Sequence, residues 1–177
     1  EGKGMRKAFL RAPLDFTRVS SVFNPRRKHP ISGGIRAHKG VDYAASTGTP
    51  IWAAGDGRIQ FAGRKGGYGN VVTIDHGKGI STVYGHMSRF GKSARVGRTV
   101  KQGDIIGYVG MTGAATGPHL HYEYRVKGAH KNPATIPMPR TEIPSGYLAE
   151  FRGQAESEFA KLQLTSGQGG IARVASR

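Results

Sequence analysis

Four of the seven histidines in this chain stand at spacings that suit metal binding or proton transfer. His38 is followed four residues later by Asp42, His119 and His121 are separated by one residue, and His86 lies between the pairs in the run Tyr84-Gly85-His86-Met87. Imidazole and carboxylate are ligand types of a catalytic zinc site, which takes three protein donors and keeps a further position open for water. This set fills three positions and leaves two histidines to move protons. The chemistry it suits is hydrolysis by an activated water.

Each pair constrains the local backbone. Side chains at i and i+2 of a strand share a face, so a strand through His119 and His121 stands the two imidazoles side by side, after a turn at Gly117-Pro118. His38 and Asp42 would share a face of a helix, but Gly40 and β-branched Val41 oppose a helix there. A bend at Gly40 still lets both side chains converge on one ion. Either pair alone is a weak signal, equally met by strand histidines facing solvent or a surface hydrogen bond. Their joint occurrence with His86 is what points to a site. The chain has no cysteine, which excludes thiolate zinc sites and cysteine nucleophiles.

The elements that must position these residues read as strands. Short apolar and β-branched runs end repeatedly at glycine, as in Pro50–Ala54, Arg58–Ala62, Asn70–His76, Thr82–Tyr84 and Asp104–Val109, and His119–Val126 is the last clear run. Glycine is frequent, 28 of 177 residues against a usual share of about 7%, and it is spread between the runs. Short strands with close turns predict a mainly β fold, an antiparallel sheet or sandwich. Residues 21–36 read as a loop through Asn24-Pro25-Arg26-Arg27 and Ser32-Gly33-Gly34. Trp52 and Phe61 read as core. His29, His76 and His130 read as surface or structural.

The division expected is a leading segment over 1–23, a site-bearing domain over 24–132, a Pro-rich extension and helix over 133–164, and a disordered tail over 165–177. Pro133, Pro137 and Pro139 keep the extension open. Ser145 then caps a helix from about Gly146 to Leu164, whose Leu148, Phe151, Ala155, Phe159 and Leu162 share an apolar face. The length suits one domain with a core. No run of 18 apolar residues suggests a membrane span. The start at Glu1, without Met or a signal-peptide pattern, reads as a processed or excised piece, so membrane anchoring would come only through upstream sequence. The net charge of +16, from 27 basic and 11 acidic residues, favours anionic partners. Nucleic acid is not the expected one, because no Arg/Lys-rich recognition helix and no aromatic-interleaved basic stripe is present.

The run Arg36-Ala37-His38-Lys39-Gly40-Val41-Asp42 resembles the first zinc motif of the lysostaphin-type (LytM-type) metallopeptidases. Gly67-Tyr68-Gly69-Asn70-Val71-Val72 and Tyr84-Gly85-His86-Met87 resemble that family's central strands. Val100–Gly107 and Gly113–Glu123, with Gly117-Pro118-His119-Leu120-His121-Tyr122-Glu123, resemble its closing stretch. The motifs occur in order from about Asn24 to Asn132, and the flanks look most like the Gram-negative, MepM-like endopeptidases. The resemblance implies that His38, Asp42 and His121 hold Zn2+, while His86 and His119 activate water and support the transition state. Two neutral imidazoles and one carboxylate would leave the zinc site at net +1, still a Lewis acid. It further implies a peptidoglycan endopeptidase of the periplasm or cell envelope, cutting D-alanyl–meso-diaminopimelate cross-links, with regulatory N-terminal domains or an activator as further partners. The alternative is a catalytically silent LytM-type scaffold that binds wall or activates an amidase. Some members carry an oxyanion-aiding tyrosine upstream of the first motif. Residues 25–37 contain none, which leaves Tyr68 or solvent for that role. In some latent members an upstream asparagine blocks the metal, and Asn24 stands near that position.

Overall fold

The computed structural model describes residues 8–27 and 37–138, together with Gln154 and Glu156. The chain divides into two compact units, the larger running Lys7–Pro139. Of the smaller, only Gln154 and Glu156 are described, both helical and exposed. The predicted helix over 146–164 otherwise falls outside the described residues, as do His29 and the tail over 165–177.

The larger unit is an antiparallel β structure. Its strands are β1 (Arg18–Ser21), β2 (Val41–Ala44), β3 (Pro50–Trp52), β4 (Gly57–Arg64), β5 (Asn70–Asp75), β6 (Ile80–Phe90), β7 (Thr99–Val100), β8 (Ile105–Val109), β9 (His119–Val126) and β10 (Ala129–Lys131), with a short 3-10 turn at Gly66–Tyr68. The main path of the sheet runs β1-β2-β9-β6-β5-β4-β7; β10 pairs with β9, and β8 pairs with both β3 and β6.

The long strand β6 organises the site. Its first part, Ile80–Gly85, pairs with β9. Its second part, Met87–Phe90, pairs with β8. The sheet therefore divides at His86. Between Tyr84 and Met87, β6 takes three steps while the facing β5 takes two, from Val72 to Asn70. The extra residue makes a bulge, a device that bends a strand and re-aims a side chain. His86 lies in that extra step with φ of 61°, a left-handed backbone that costs a non-glycine residue of order 1–3 kcal/mol. The sequence reading ended this strand at Tyr84 because Gly85-His86 breaks the apolar run.

Alternation along β9 sends Leu120, Tyr122 and Tyr124 to the core and His119, His121 and Glu123 to the opposite face. Leu120 and Tyr122 are fully buried with Tyr84, Ile51, Ile106 and Val72. The buried Tyr84 hydroxyl is satisfied by the Ala54 amide at 2.9 Å and the Thr82 hydroxyl at 2.8 Å. Residues 8–23 of the leading segment contribute to the same core. Phe9 and Leu14 are buried, and Pro13 accepts the Trp52 amide N–H at 2.8 Å. Trp52 and Phe61 are half-buried rather than fully inside, and Lys65 lies over the Phe61 ring. His76 is structural: it bridges the Asp56 carbonyl and the Thr82 hydroxyl, each at 2.7 Å.

Candidate metal centre and cleft

Strand register brings the two halves of the histidine set together. Asp42 on β2 lies directly opposite His121 on β9, and Ala44 opposite His119. Opposed residues on one sheet face have neighbouring side chains, and Asp42 Oδ1 is 2.7 Å from His121 Nδ1. His38 precedes β2. Its backbone forms a two-way bridge with Asn24, N to O at 2.8 and 3.0 Å. That bridge places His38 Nε2 at 3.0 Å from Asp42 Oδ1 and 3.3 Å from His121 Nδ1. The Asn24 side chain accepts the Arg26 amide N–H at 3.0 Å, and its backbone supports His38.

Gly40 permits this convergence. A Cβ there would sit 2.5 Å from the Tyr122 carbonyl oxygen and 2.8 Å from His121 Cε1. Gly40→Ala is therefore expected to destabilise the domain by about 1–3 kcal/mol and to weaken metal binding, because the His121 ring must move. Denaturant unfolding and a zinc titration on the same variant check both effects.

The proton inventory shows what the cluster is built for. A ring nitrogen facing a carbonyl oxygen must carry the proton. His38 Nδ1 faces the Val22 carbonyl at 2.7 Å, so its Nε2 is bare in the neutral ring. His121 has a carboxylate at each ring nitrogen, Glu123 at 3.1 Å from Nε2 and Asp42 at 2.7 Å from Nδ1; with a cation beside Asp42, the proton stays on Nε2 and Nδ1 is bare. Two lone pairs and a carboxylate oxygen then point at one another, all three donor atoms lying within 4.8 Å. Three mutually facing electron-pair donors demand a cation, and this nitrogen and oxygen set fits zinc.

Without an ion, a proton takes that role. Burial works against a charged His121, but its hydrogen bonds to Asp42 and Glu123 win and raise it to about 9. Burial also opposes ionised Asp42, yet the hydrogen bonds from His121 and His38 hold its carboxyl well below the usual range. For His121 the folded value lies above the ordinary 6.5, so its stabilising contribution is full below pH 6.5 and disappears as pH rises through about 9. The metal-free protein is thus expected to lose thermal stability across that window, and saturating zinc to flatten the dependence. Thermal melts from pH 6 to 9.5, with chelator or with zinc, check this.

His86 and His119 stand beside the cluster. Their rings are 4.6 Å apart. His86 donates from Nδ1 to the Thr112 carbonyl at 2.7 Å, and His119 from Nδ1 to the Gly117 carbonyl at 2.8 Å. Each thereby presents a bare Nε2, and that of His119 lies 3.9 Å from Asp42 Oδ1. Burial, helped by the neighbouring histidines, outweighs the Thr112 hydrogen bond and lowers His86 below its ordinary value. It is neutral at pH 7 and able to accept a proton.

All five residues line one cleft of about 380 Å³, with Tyr68, Glu123, Ala114–Thr116 and the cations Arg27 and Lys39. Tyr68 lines the wall, but its hydroxyl donates to Glu123 at 2.7 Å. Burial and the Glu123 carboxylate push it up to about 12. Its proton is committed to Glu123, which argues against Tyr68 as a replacement for the missing upstream tyrosine. Glu123 is the buried residue that sequence reasoning left without a role. The signal available was its position two residues beyond His121 on the same strand face.

The profile of Peptidase family M23 matches residues 36–133. The chain belongs to this family. It is 50% identical over 93% of its length to the peptidoglycan DD-endopeptidase ShyC of Vibrio cholerae, and spans 38% of that protein. Among solved structures, it resembles a zinc-containing peptidase from Vibrio cholerae with a TM-score of 0.71 and 35% identity, over 75% of this chain and 41% of the other. The catalytic domain of lysostaphin from Staphylococcus simulans matches with a TM-score of 0.58 and 33% identity, over 66% of this chain and 89% of that domain. The M23 match contains all five site residues, from His38 to His121.

Proposed function

We propose that this M23 chain carries the catalytic domain of a zinc-dependent endopeptidase that hydrolyses peptide cross-links of bacterial peptidoglycan, the D-alanyl–meso-diaminopimelate bond in particular. The observation that carries the reading is the trio of facing electron-pair donors beside two histidines that each offer a bare Nε2 to an open cleft. His38, Asp42 and His121 hold the metal. Zinc, when bound there, supplies a Lewis acid that lowers the pKa of water from 15.7 towards about 7.

The protein's own groups do the rest. His86 and His119, with Nδ1 pinned to backbone carbonyls, stand ready to take a proton from the attacking water. Once protonated, an imidazolium at the same place donates to the oxygen that gains charge on the substrate carbonyl. The proton then passes to the leaving amine as the C–N bond breaks, giving a carboxylate and an amine. The strained, bulged backbone at His86 fixes one partner and the turn at Gly117 the other.

Arg27 and Lys39 on the cleft wall suit a peptide stem that bears free carboxylates, and the net charge of +16 suits the polyanionic wall as a whole. We place the peptidase domain at 24–132, with residues 8–23 of the leading segment contributing to its core, and its place of action in the periplasm or cell envelope. Regulatory domains or an activator would act through sequence beyond this chain. Mass spectrometry of muropeptides from Gram-negative sacculi tests the reading. Cross-linked dimers should convert to monomers with zinc and not with chelator; intact dimers in both arms, with zinc bound, would overturn it.

A further inference from the structure

Glu123 is fully buried, with 0% of its surface exposed, and its two oxygens face different groups. Oε1 accepts from His121 Nε2 at 3.1 Å and from the Tyr68 hydroxyl at 2.7 Å. Oε2 accepts from Arg125 Nε at 2.8 Å and from a second Arg125 nitrogen, with His130 Nε2 at 3.2 Å. A buried carboxylate is expensive unless it is paired and hydrogen-bonded, and here Arg125 supplies a forked counter-charge.

The four site histidines differ in one respect. His38, His86 and His119 all donate from Nδ1 to a backbone carbonyl and present Nε2. His121 alone presents Nδ1, and its Nε2 faces a carboxylate rather than a carbonyl. Both His121 nitrogens face a carboxylate, Asp42 at Nδ1 and Glu123 at Nε2; with a cation held between Asp42 and His38, Nδ1 is bare and the Nε2–H is left to Glu123.

We propose that Glu123 is the positioning residue of the metal centre: by taking the His121 Nε2–H it turns the Nδ1 lone pair towards Asp42 and His38, and Tyr68 and Arg125 hold it in place. Side chains at 119, 121, 123 and 125 share one face of β9. One strand thus carries the free histidine, the ligand, its orienting carboxylate and the arginine that anchors it. Outer partners of this kind typically raise metal affinity 10–100-fold.

The inference rests on the zinc reading above. Competition with a chromogenic chelator should show the zinc Kd of Glu123→Gln raised 10–100-fold over wild type. Arg125→Gln, which loosens the anchor of Glu123 and leaves its carboxylate in place, should lower Tm and raise the zinc Kd less than Glu123→Gln does. Zinc-loaded wild type should also show, in histidine side-chain 15N–1H spectra, a downfield, slowly exchanging Nε2–H on His121; this readout survives if Glu123→Gln does not fold. Unchanged zinc affinity in a folded Glu123→Gln, an equal loss in Arg125→Gln, or a fast-exchanging His121 Nε2–H would overturn the positioning role. Failure of wild type to bind zinc would instead sink the functional reading beneath it.

Discussion

His86→Ala and His119→Ala are each expected to keep zinc and to lose about 10²–10⁴ of turnover, the range typical of removing a positioned acid or base. The geometry separates these residues from the metal donors. Both spend Nδ1 on backbone carbonyls and lie beside the triplet of His38, Asp42 and His121. Removing either leaves the three donor atoms in place, so zinc affinity should hold. The double variant should be little worse than the worse single one, because the two histidines share one proton-transfer task. The pH profile of kcat should show an acid limb below pH 6.5, since burial lowers His86 from that ordinary value. Above the limb His86 is neutral and able to accept a proton; as pH falls through its value that ability is lost. Steady-state rates and zinc content measured on the same preparations check the separation, and a variant with full turnover would refute the role of that histidine.

Asp42→Ala is expected to abolish turnover by removing the metal. Asp42 Oδ1 is the atom common to the cluster, 3.0 Å from His38 Nε2 and 2.7 Å from His121 Nδ1. It is also the only negative charge among the three donors. Without it two neutral imidazoles remain, and zinc affinity should fall by more than the 10–100-fold typical of losing an outer partner. Zinc content after dialysis, with turnover under excess zinc, reads the loss. Asp42→Asn should behave similarly, since it keeps shape but loses the charge. Retention of stoichiometric zinc by Asp42→Ala would show that another group supplies the third donor.

Much of this site is legible in the amino-acid sequence. The i, i+2 spacing of His119 and His121 fixes a shared face wherever that run is extended, and β9 is extended. Gly40 and Val41 argued against a helix at His38–Asp42, and a bend with a strand is what forms. Other features depended on partners distant in sequence. The bulge at His86 exists because β6 takes an extra step against β5, and nothing local to His86 counts the residues of β5. The use of Nδ1 by His121 is set by Glu123, whose burial follows from Tyr68, Arg125 and His130 closing around it. The backbone bridge of Asn24 to His38 depends on which strand edge Asn24 meets, which its own sequence neighbourhood does not specify. Tyr68 lies on the cleft as its position suggested, but its proton is turned to a carboxylate that spacing alone did not connect to it.

The most direct test of the division of labour among these five residues is anomalous diffraction at the zinc edge from crystals grown with zinc. One peak is expected, at about 2.0–2.2 Å from His38 Nε2, Asp42 Oδ1 and His121 Nδ1, with His86 and His119 unbonded. A peak bonded to His86 or His119 in place of one of the three, or no peak at Asp42, would contradict it.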